Sequence, residues 1–262
     1  MKYFVVDAFA NELFKGNPAG VCILDNWIDD KLLQSIAFEN NLAETAFIVR
    51  NNSQYDLRWF TPETEMDLCG HATLASSFII RNFIDQNCNL MSFSTKSGIL
   101  TVTFIEESGL YEMDFPARKP EKTEINDIVQ NAINTRIKEA FVARDLLLLI
   151  DTEEQVRNLK INFELIKTVK DCFAFVFTAP SSNNECDFVS RFFAPNAGII
   201  EDPVTGSSHS SLIPFWAEKL KKNKLIAKQL SKRGGTLYCE NNGNRVKIAG
   251  KAILYLEGNI NI

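Results

Sequence analysis

The chain has 262 residues, of which 45% are hydrophobic and 23% are charged, and its formal net charge is −5. This length fits one large domain or two domains of about 130 residues, and the composition is that of a globular protein, not a disordered one. The acidic balance argues against nucleic acid or an anionic membrane as the main partner.

Membrane insertion, secretion and zinc binding are not expected from this sequence. The longest apolar run, 172–177, is far shorter than the roughly 20 residues that span a bilayer. Asp7, Asn11 and Glu12 interrupt any apolar core of a signal peptide. The six cysteines form no CxxC pair and there are only two histidines, so we expect reduced thiols, a cytoplasmic location and no metal.

In the first half of the chain, short strand-like segments alternate with helical ones. Asp29 or Asp30 is placed to cap a helix that ends near Glu39, and a second helix is expected from about His71 to Asn82. Alternating apolar residues predict strands at 2–6, 20–24, 46–49, 55–60, 90–94, 99–105 and 110–115.

After a linker-like segment at 116–123, the second half repeats this mixture of elements. Helices are expected near 124–133 and from about Ser207, and Pro214 should kink or end the second of them. Many short strands with few helices predict an α+β protein. The expected strands are 145–150, 172–178, 188–193, 235–240, 245–249 and 252–257.

An internal match divides the chain into two similar parts. Residues 58–62 (RWFTP) reappear in kind as residues 191–195 (RFFAP), and each block precedes an acidic, glycine-centred loop, at 67–73 and at 201–209. The shared order of strand, proline loop, glycine turn, helix and hairpin predicts two copies of one unit. We therefore expect an N-terminal domain at 1–117 and a C-terminal domain at 118–262.

The two glycine-centred loops are candidate anion sites. A glycine that opens a helix lets the backbone approach a ligand, and the first N–H groups of the helix favour an anion such as a carboxylate. If the two copies face each other, both helix starts converge on one cleft that would hold a small anionic substrate. The alternative is that each glycine only makes a tight turn.

Several polar side chains lie in or near these loops. The chain's only histidines, His71 and His209, fall within them, although His209 is also compatible with packing or capping. Asp202 precedes a proline, which holds it extended, and Ser207 starts the second helix; both are also natural capping residues. Glu44 lies just before an apolar strand, where a half-buried carboxylate with a raised pKa suits proton transfer.

A set of motifs that covers most of the chain resembles the PhzF-like family of phenazine-biosynthesis-type isomerases, within the diaminopimelate-epimerase-like superfamily. The motifs occur in order: Asp7-Ala8-Phe9, Gly16-Asn17-Pro18-Ala19-Gly20, Ala43-Glu44-Thr45-Ala46-Phe47, Phe60-Thr61-Pro62, Leu68-Cys69-Gly70-His71-Ala72-Thr73 and Asp202-Pro203-Val204-Thr205-Gly206-Ser207.

This resemblance implies two similar domains, each a curved, mostly antiparallel sheet around a central helix, with these helices starting near His71 and Ser207. It also implies a cofactor-independent isomerase that moves a proton on a small amino- or hydroxy-carboxylate. A dihydro-hydroxyanthranilate-like ring is one candidate substrate. A homodimer is compatible with the family.

The same resemblance assigns roles to individual residues. Glu44 would take a proton from carbon and return it elsewhere on the same face, while His71, Asp202 and Ser207 would hold the substrate or relay protons. Closure of the site would exclude water and keep the abstracted proton from exchanging. The resemblance also implies substrate-binding positions at Gly70, Gly206 and Asn17.

Three alternatives stay open at this point. Related epimerases and racemases use one cysteine on each loop, whereas this chain has Cys69 on the first loop and Asp202 on the second, so a mixed Cys69/Asp202 pair is one alternative. A non-catalytic protein that binds small acids is another. The third is nucleic-acid binding by the lysine-rich segment 219–233, which is more simply the solvated face of a helix and the following loop.

Overall fold

The structure is a computed structural model that describes all residues from Met1 to Ile262. It divides into two compact units, of which the first contains Met1–Asp114 together with Ile248–Ile262 and the second contains Phe115–Lys247. The second unit therefore ends earlier than the expected domain 118–262. The physical reason is that the C-terminal strand pairs along its whole length with the N-terminal strand.

The first unit is built on one mixed sheet with strand order β18-β1-β2-β3-β4-β6-β7-β8. All of these neighbours are antiparallel except β2–β3 and β4–β6, which are parallel. The strands are β1 (Lys2–Ala8), β2 (Asn17–Leu24), β3 (Glu44–Asn51), β4 (Gln54–Phe60), β5 (Glu65–Met66), β6 (Leu90–Thr95), β7 (Gly98–Ile105), β8 (Leu110–Pro116) and β18 (Ala252–Asn259).

The central helix of the first unit is α2 (Gly70–Ile79), which continues into a π-helical turn at Ile80–Ile84. Helix α2 packs against β1, β2 and β3 and is almost wholly buried, because most of its side chains are small. Its buried hydroxyls donate to carbonyls one turn earlier, so they cost little to bury; these bonds are Thr73 to Cys69, Ser76 to Ala72 and Ser77 to Thr73.

Helix α1 (Asp30–Asn40) covers an apolar cluster of the first unit. The Asp29 side chain accepts a hydrogen bond from the Lys31 backbone N–H at 2.9 Å, as expected for a helix cap. Buried Leu33 and Ile36 pack with residues of β2 and β3.

The second unit repeats this plan with α6 (Gly206–Leu220) as its central helix. An apolar cluster of this unit includes residues of three short helices, α3 (Asp127–Asn131), α4 (Glu153–Arg157) and α5 (Phe163–Ile166). The strands are β9 (Glu121–Thr123), β10 (Glu139–Val142), β11 (Leu146–Leu149), β12 (Phe175–Pro180), β13 (Phe188–Ala194), β14 (Ile199–Asp202), β15 (Lys224–Gln229), β16 (Gly235–Asn242) and β17 (Arg245–Gly250), the last three residues of which belong to the first unit.

Strand pairing confirms the predicted repeat. In the first unit the successive pairs β1–β2, β2–β3, β3–β4 and β4–β6 are antiparallel, parallel, antiparallel and parallel. The pairs β10–β11, β11–β12, β12–β13 and β13–β15 follow the same sequence in the second unit. Helix α2 connects the short strand β5 to β6, and α6 connects the short strand β14 to β15, so the predicted α+β architecture is also confirmed.

The matched sequence blocks form the same structural feature in both units. Arg58 makes a two-pronged ion pair with Glu65, with N–O distances of 2.7 and 2.9 Å, and Arg191 does the same with Glu201 at 2.7 and 3.0 Å. In each case the guanidinium also lies about 5 Å from the ring of the phenylalanine two residues later. These two Arg–Glu clamps tie β4 to β5 and β13 to β14, immediately before the central helices.

Helix α6 runs through Pro214, so of the two expected effects of this proline, a kink or a helix end, the helix end is wrong. Proline lacks the N–H that would bond to the carbonyl of Ser210, one turn earlier. The backbone N–H of Arg118 donates to that carbonyl instead, at 2.8 Å. The orphaned acceptor is therefore satisfied from outside the helix, which removes much of the cost of an internal proline.

Two further segments differ from expectation. The linker-like segment 116–123 ends in β9, which pairs with β10, a strand that the sequence pattern did not indicate. Part of the lysine-rich segment 219–233 forms β15, and three of its lysines pair with carboxylates: Lys219 with Glu139, Lys222 with Asp187, and Lys228 with Glu185. No helix of the chain combines the length and the apolarity needed to cross a bilayer.

Candidate active site

Three of the predicted site residues of the first unit start secondary-structure elements that meet at one place. Asn17 is the first residue of β2, Glu44 is the first of β3, and His71 is the second of α2. Strands β2 and β3 are parallel with Ala19 opposite Glu44, so their starts lie at the same edge of the sheet. Because α2 packs across these strands, its first turn reaches both side chains.

Glu44 and His71 form the closest pair of titratable groups at this edge. Glu44 Oε2 lies 3.1 Å from His71 Nε2, and the two side chains are only 13% and 7% exposed. Their orientation falls outside hydrogen-bond geometry, and neither atom bonds to another protein group. The contact is therefore electrostatic in this arrangement.

The other ring nitrogen of His71 faces two buried side chains. Asn17 Nδ2 lies 3.3 Å from His71 Nδ1, and Cys69 Sγ lies 3.5 Å from the same atom. A neutral ring that accepts at Nδ1 carries its proton on Nε2, and a charged ring carries protons on both nitrogens. The Asn17 amide can present either its nitrogen or its oxygen to the ring. A charged ring, and a neutral ring that accepts from Asn17 at Nδ1, both carry a proton on Nε2, the ring nitrogen nearest Glu44.

Burial and charge act in opposite directions on His71. Burial disfavours the charged imidazolium, but the neighbouring Cys69 sulfur and Glu44 carboxylate outweigh burial, so the pKa of His71 lies well above its ordinary value. Burial and the Glu44 charge raise the pKa of the Cys69 thiol. Cys69 and Glu44 are thus the two neighbours that favour a protonated His71.

Glu44, Cys69 and His71 also bring three metal-ligand atoms within 4.8 Å of one another. Their arrangement fits a single ion poorly, because Glu44 faces Nε2 while Cys69 faces Nδ1 on the other side of the ring. A zinc ion takes only one nitrogen from each histidine. The prediction that the chain holds no metal stays a prediction.

In the second unit, a buried glutamine braces the loop that carries Asp202. Gln229, at the end of β15, donates through Nε2 to the Asp202 carbonyl at 2.7 Å and accepts from the Thr205 N–H at 2.9 Å. The Thr205 hydroxyl donates to the Asp202 carboxylate. Thr205 is the N-cap residue of α6, but its side chain makes no capping bond because it bonds to Asp202.

Ser207, the second residue of α6, contacts an arginine that precedes β11. Arg144 Nη2 donates to Ser207 Oγ at 3.2 Å. The same guanidinium makes a two-pronged ion pair with the buried Asp145, at 2.8 and 2.7 Å. Ser207 occupies the position in α6 that His71 occupies in α2, directly after the opening glycine.

His209 is a structural residue in this arrangement. Its ring is completely buried, Nδ1 lies 2.8 Å from the Thr205 carbonyl, and Phe188 packs near the ring. Burial lowers the pKa of His209 to about 4, so the ring is neutral at physiological pH. A neutral Nδ1–H donor helps to hold the loop before α6.

The structure thus groups the predicted residues within each unit. Asn17, Glu44 and His71 meet in the first unit, with Cys69 beside them, while Asp202 and Ser207 flank the start of α6 in the second. Asn17, expected to contact substrate, lies against His71. Gly70 and Gly206 each open a central helix that has no side-chain cap. The sequence reasoning missed three residues: Arg144, Asp145 and Gln229.

The weak signal for the first two missed residues was a charged pair directly before an apolar strand, which is equally typical of a turn. Gln229 gave no signal at all, since nothing in its sequence context distinguishes it from a surface glutamine. Its importance comes from β15 running parallel to β13, a pairing between distant segments.

Comparison with known proteins identifies the family. The family model described as phenazine biosynthesis-like protein (PhzC-PhzF) matches residues 6–258. The chain is 46% identical to the uncharacterized isomerase PA2770 of Pseudomonas aeruginosa over 259 residues, which covers 99% of this chain and 98% of the relative. Two further relatives, from Halalkalibacterium halodurans and P. aeruginosa, are also named isomerases.

Solved structures agree with this family. A PhzF-family protein of Enterococcus faecalis has a TM-score of 0.96 and 44% identity, with 100% of this chain and 99% of that chain covered. A PhzC/PhzF protein of Clostridium difficile has a TM-score of 0.94 and 49% identity over the full length of both chains. A hydroxyproline epimerase, 10% identical with a TM-score of 0.63, shows the same fold. The chain therefore belongs to the phenazine biosynthesis-like PhzC-PhzF family and is an isomerase with the epimerase-like fold.

Proposed function

We propose that this isomerase moves a proton on a small amino- or hydroxy-carboxylate without a cofactor, and that Glu44 carries the proton. The supporting observation is the 3.1 Å contact between Glu44 Oε2 and His71 Nε2 in a nearly closed environment. A general base needs a carboxylate that is anionic, shielded from water and within reach of a proton relay. The Glu44 carboxylate is shielded from water and lies next to His71, which can relay a proton.

The proposed reaction balances on Glu44 alone. The carboxylate removes a proton from a substrate carbon, becomes a neutral acid, and leaves a carbanion stabilised by the adjacent unsaturated or carboxylate group. The same acid then returns the proton to a different carbon on the same face, which regenerates the carboxylate and completes the isomerisation. A protonated His71 lowers the energy of the anionic form of Glu44 between turnovers.

The opening glycines of the two central helices are proposed to bind the substrate carboxylate through backbone amides. Neither Gly70 nor Gly206 follows a residue whose side chain caps its helix, which keeps the first-turn N–H groups available. Asp202 and Ser207 are proposed to hold the polar substituent and the carboxylate. Asn17 is proposed to orient His71 through its side-chain amide.

A Cys69/Asp202 epimerase or racemase is the second candidate. It would need a Cys69 thiolate as the base, but burial and the Glu44 charge raise the pKa of this thiol. Cys69 also lies against His71 Nδ1, on the side of the ring away from Glu44. These observations favour Glu44 as the base.

The decisive experiment compares Glu44→Gln and Cys69→Ala in D2O. A candidate carboxylate is incubated with each variant, and the incorporation of deuterium at carbon and the appearance of isomer are followed by NMR. We expect Glu44→Gln to lose both and Cys69→Ala to keep most activity. The matched control is Glu39→Gln, a change of the same chemistry on the exposed face of α1. Active Glu44→Gln with inactive Cys69→Ala would establish the alternative mechanism.

Metabolite profiling with Glu44→Gln addresses the substrate, because a variant that binds without reacting retains its ligand. Activity after dialysis against a chelator tests the absence of a metal or cofactor. All six cysteines are free, in agreement with the proposed cytoplasmic location. Homodimerisation stays a prediction, for which sedimentation analysis is the test.

A further inference from the structure

Arg144 is held on three sides, which is unusual for a residue with a partly exposed side chain. Its Nε and Nη2 bond to the carboxylate of Asp145, a side chain that is only 4% exposed. Its Cζ lies 4.9 Å from the ring centre of Phe173, an exposed aromatic residue. Its Nη2 also donates to Ser207 Oγ. These contacts fix the guanidinium plane and leave Nη1 without a protein partner.

The bond from Arg144 determines what the Ser207 hydroxyl can do. A serine hydroxyl has one proton to donate and two lone pairs to accept with. Because Oγ already accepts from Arg144 Nη2, its own proton must point away from the guanidinium. Ser207 is thereby oriented as a donor, and a positive group beside it strengthens that donor.

The internal repeat supports a functional role for this contact. His71 and Ser207 are equivalent positions, each the second residue of its central helix. In the first unit, Asn17, at the start of the second strand, contacts His71. In the second unit, Arg144, just before the corresponding strand β11, contacts Ser207. Both copies therefore use the same place in the fold to orient the side chain that follows the glycine.

We propose that Arg144 is a positioning and specificity-determining residue that makes the Ser207 site select a carboxylate over a neutral group. Ser207 donates through its hydroxyl, and Arg144 Nη1 supplies a second donor to the same anion. Asp145 offsets the arginine charge, so the site acts through aimed donors and not through net charge. This inference rests on the proposed function, because it takes Ser207 as a substrate-binding residue.

The test is designed so that the protein still folds. Arg144→Gln alone would leave the buried Asp145 carboxylate unpaired, which is costly. The double variant Arg144→Gln/Asp145→Asn replaces the ion pair with two amides that can bond to each other. Arg144→Lys keeps the charge but loses the fork geometry. Arg157→Gln removes an exposed ion-paired arginine of the same unit and is the matched control.

Binding is measured by calorimetry with carboxylates and their carboxamides as pairs: anthranilate with anthranilamide, and lactate with lactamide. We expect the wild type and Arg157→Gln to prefer the carboxylate of at least one pair. In the double variant the preference should fall by about tenfold or more, the effect of losing a hydrogen bond to a charged group. Arg144→Lys should restore part of the preference.

Three results would overturn the inference: a wild type that shows no carboxylate preference in either pair, a double variant that keeps the full preference, or an equal loss in Arg157→Gln. A cycle with Ser207→Ala adds a second criterion, since the double variant should weaken binding much less when the serine is already absent.

Glu44→Gln separates this inference from the proposed function. That variant should bind the carboxylate with unchanged preference although it is inactive. If Glu44→Gln were active, the proposed reaction would be wrong while the result for Arg144 would stand.

Discussion

His209 offers a quantitative test of the loop before α6. Its ring is fully buried and neutral, and burial lowers its pKa to about 4 from the ordinary 6.5. The unfolded chain therefore binds a proton that the folded chain refuses between pH 6.5 and about 4. The contribution of His209 to the free energy of unfolding is fully present above pH 6.5 and is lost as the pH falls through this window.

The magnitude follows from the two pKa values. A difference of about 2.5 between the folded and unfolded pKa values corresponds to a contribution of about 3 kcal/mol to the free energy of unfolding. Most of this contribution is already lost at pH 4.5. His209→Gln keeps a donor for the Thr205 carbonyl but does not titrate. We therefore expect this variant to be less stable than the wild type at pH 7.5 by about 1–2 kcal/mol, and to lose less stability on acidification.

The free energy of unfolding of both proteins is measured by chemical denaturation at pH 7.5 and at pH 4.5. The stability that the variant loses between these two pH values is then subtracted from the stability that the wild type loses. The difference isolates His209, because the other titrating groups are common to both chains. We expect the wild type to lose about 2–3 kcal/mol more than the variant. Parallel losses in the two proteins, or an imidazole that titrates near pH 6.5 by NMR, would refute the interpretation of His209 as a buried neutral residue.

Three further predictions concern the site and the Arg–Glu clamps. Asn17→Ala should lower kcat by about tenfold or more with little change in KM, because the amide orients His71, and Asn17→Gln should not restore it since the longer chain displaces the amide; steady-state kinetics decides. The His71 ring should titrate above pH 6.5 by NMR, and Glu44→Gln should lower the pKa of this ring. The Glu44–His71 pair should stabilise the fold fully below pH 6.5 and less as the pH rises through the folded-state pKa of His71. An unchanged His71 pKa in Glu44→Gln would contradict the pairing. Arg58→Gln and Arg191→Gln should each cost about 1–3 kcal/mol in chemical denaturation because each removes the two-pronged partner of a half-buried glutamate. Arg58→Gln should cost the less of the two because Lys96 still pairs with Glu65, and a cost in only one of them would argue against equivalent clamps.

Most of the fold could be predicted from local sequence patterns. The central helices were predictable because a glycine precedes a long helix-compatible stretch, and the repeat was predictable because Arg58 and Arg191 each begin a similar block. The structure explains why that block is shared: each arginine pairs with the glutamate that leads into its central helix. The helix through Pro214 was not predictable, since the bond that compensates for the proline comes from Arg118, far away in sequence.

In the candidate site, too, some features could be predicted from local motifs and others could not. Glu44 and His71 were indicated by motifs that lie close to them, and their contact depends on β2 and β3 being parallel, which the strand patterns do not determine. The contact between Asn17 and His71 was not predictable, because the start of β2 could not be located within the loop that precedes it. Long-range pairing, not local propensity, decides each of these contacts.

Symmetry of the fold and asymmetry of the side chains together explain how one architecture can support one-sided chemistry. Both units present the second residue of a central helix to a side chain from the start of the second strand. In the first unit that residue is His71, a titratable ring beside Glu44; in the second it is Ser207, which cannot act as a base at neutral pH. Under the proposed mechanism, Glu44 of the first unit transfers the proton, and Ser207 of the second unit contributes a hydrogen-bond donor. Exchanging the two side chains, by His71→Ser with Ser207→His, should abolish activity without restoring it on the other side, because no glutamate starts β12, the second unit's counterpart of β3.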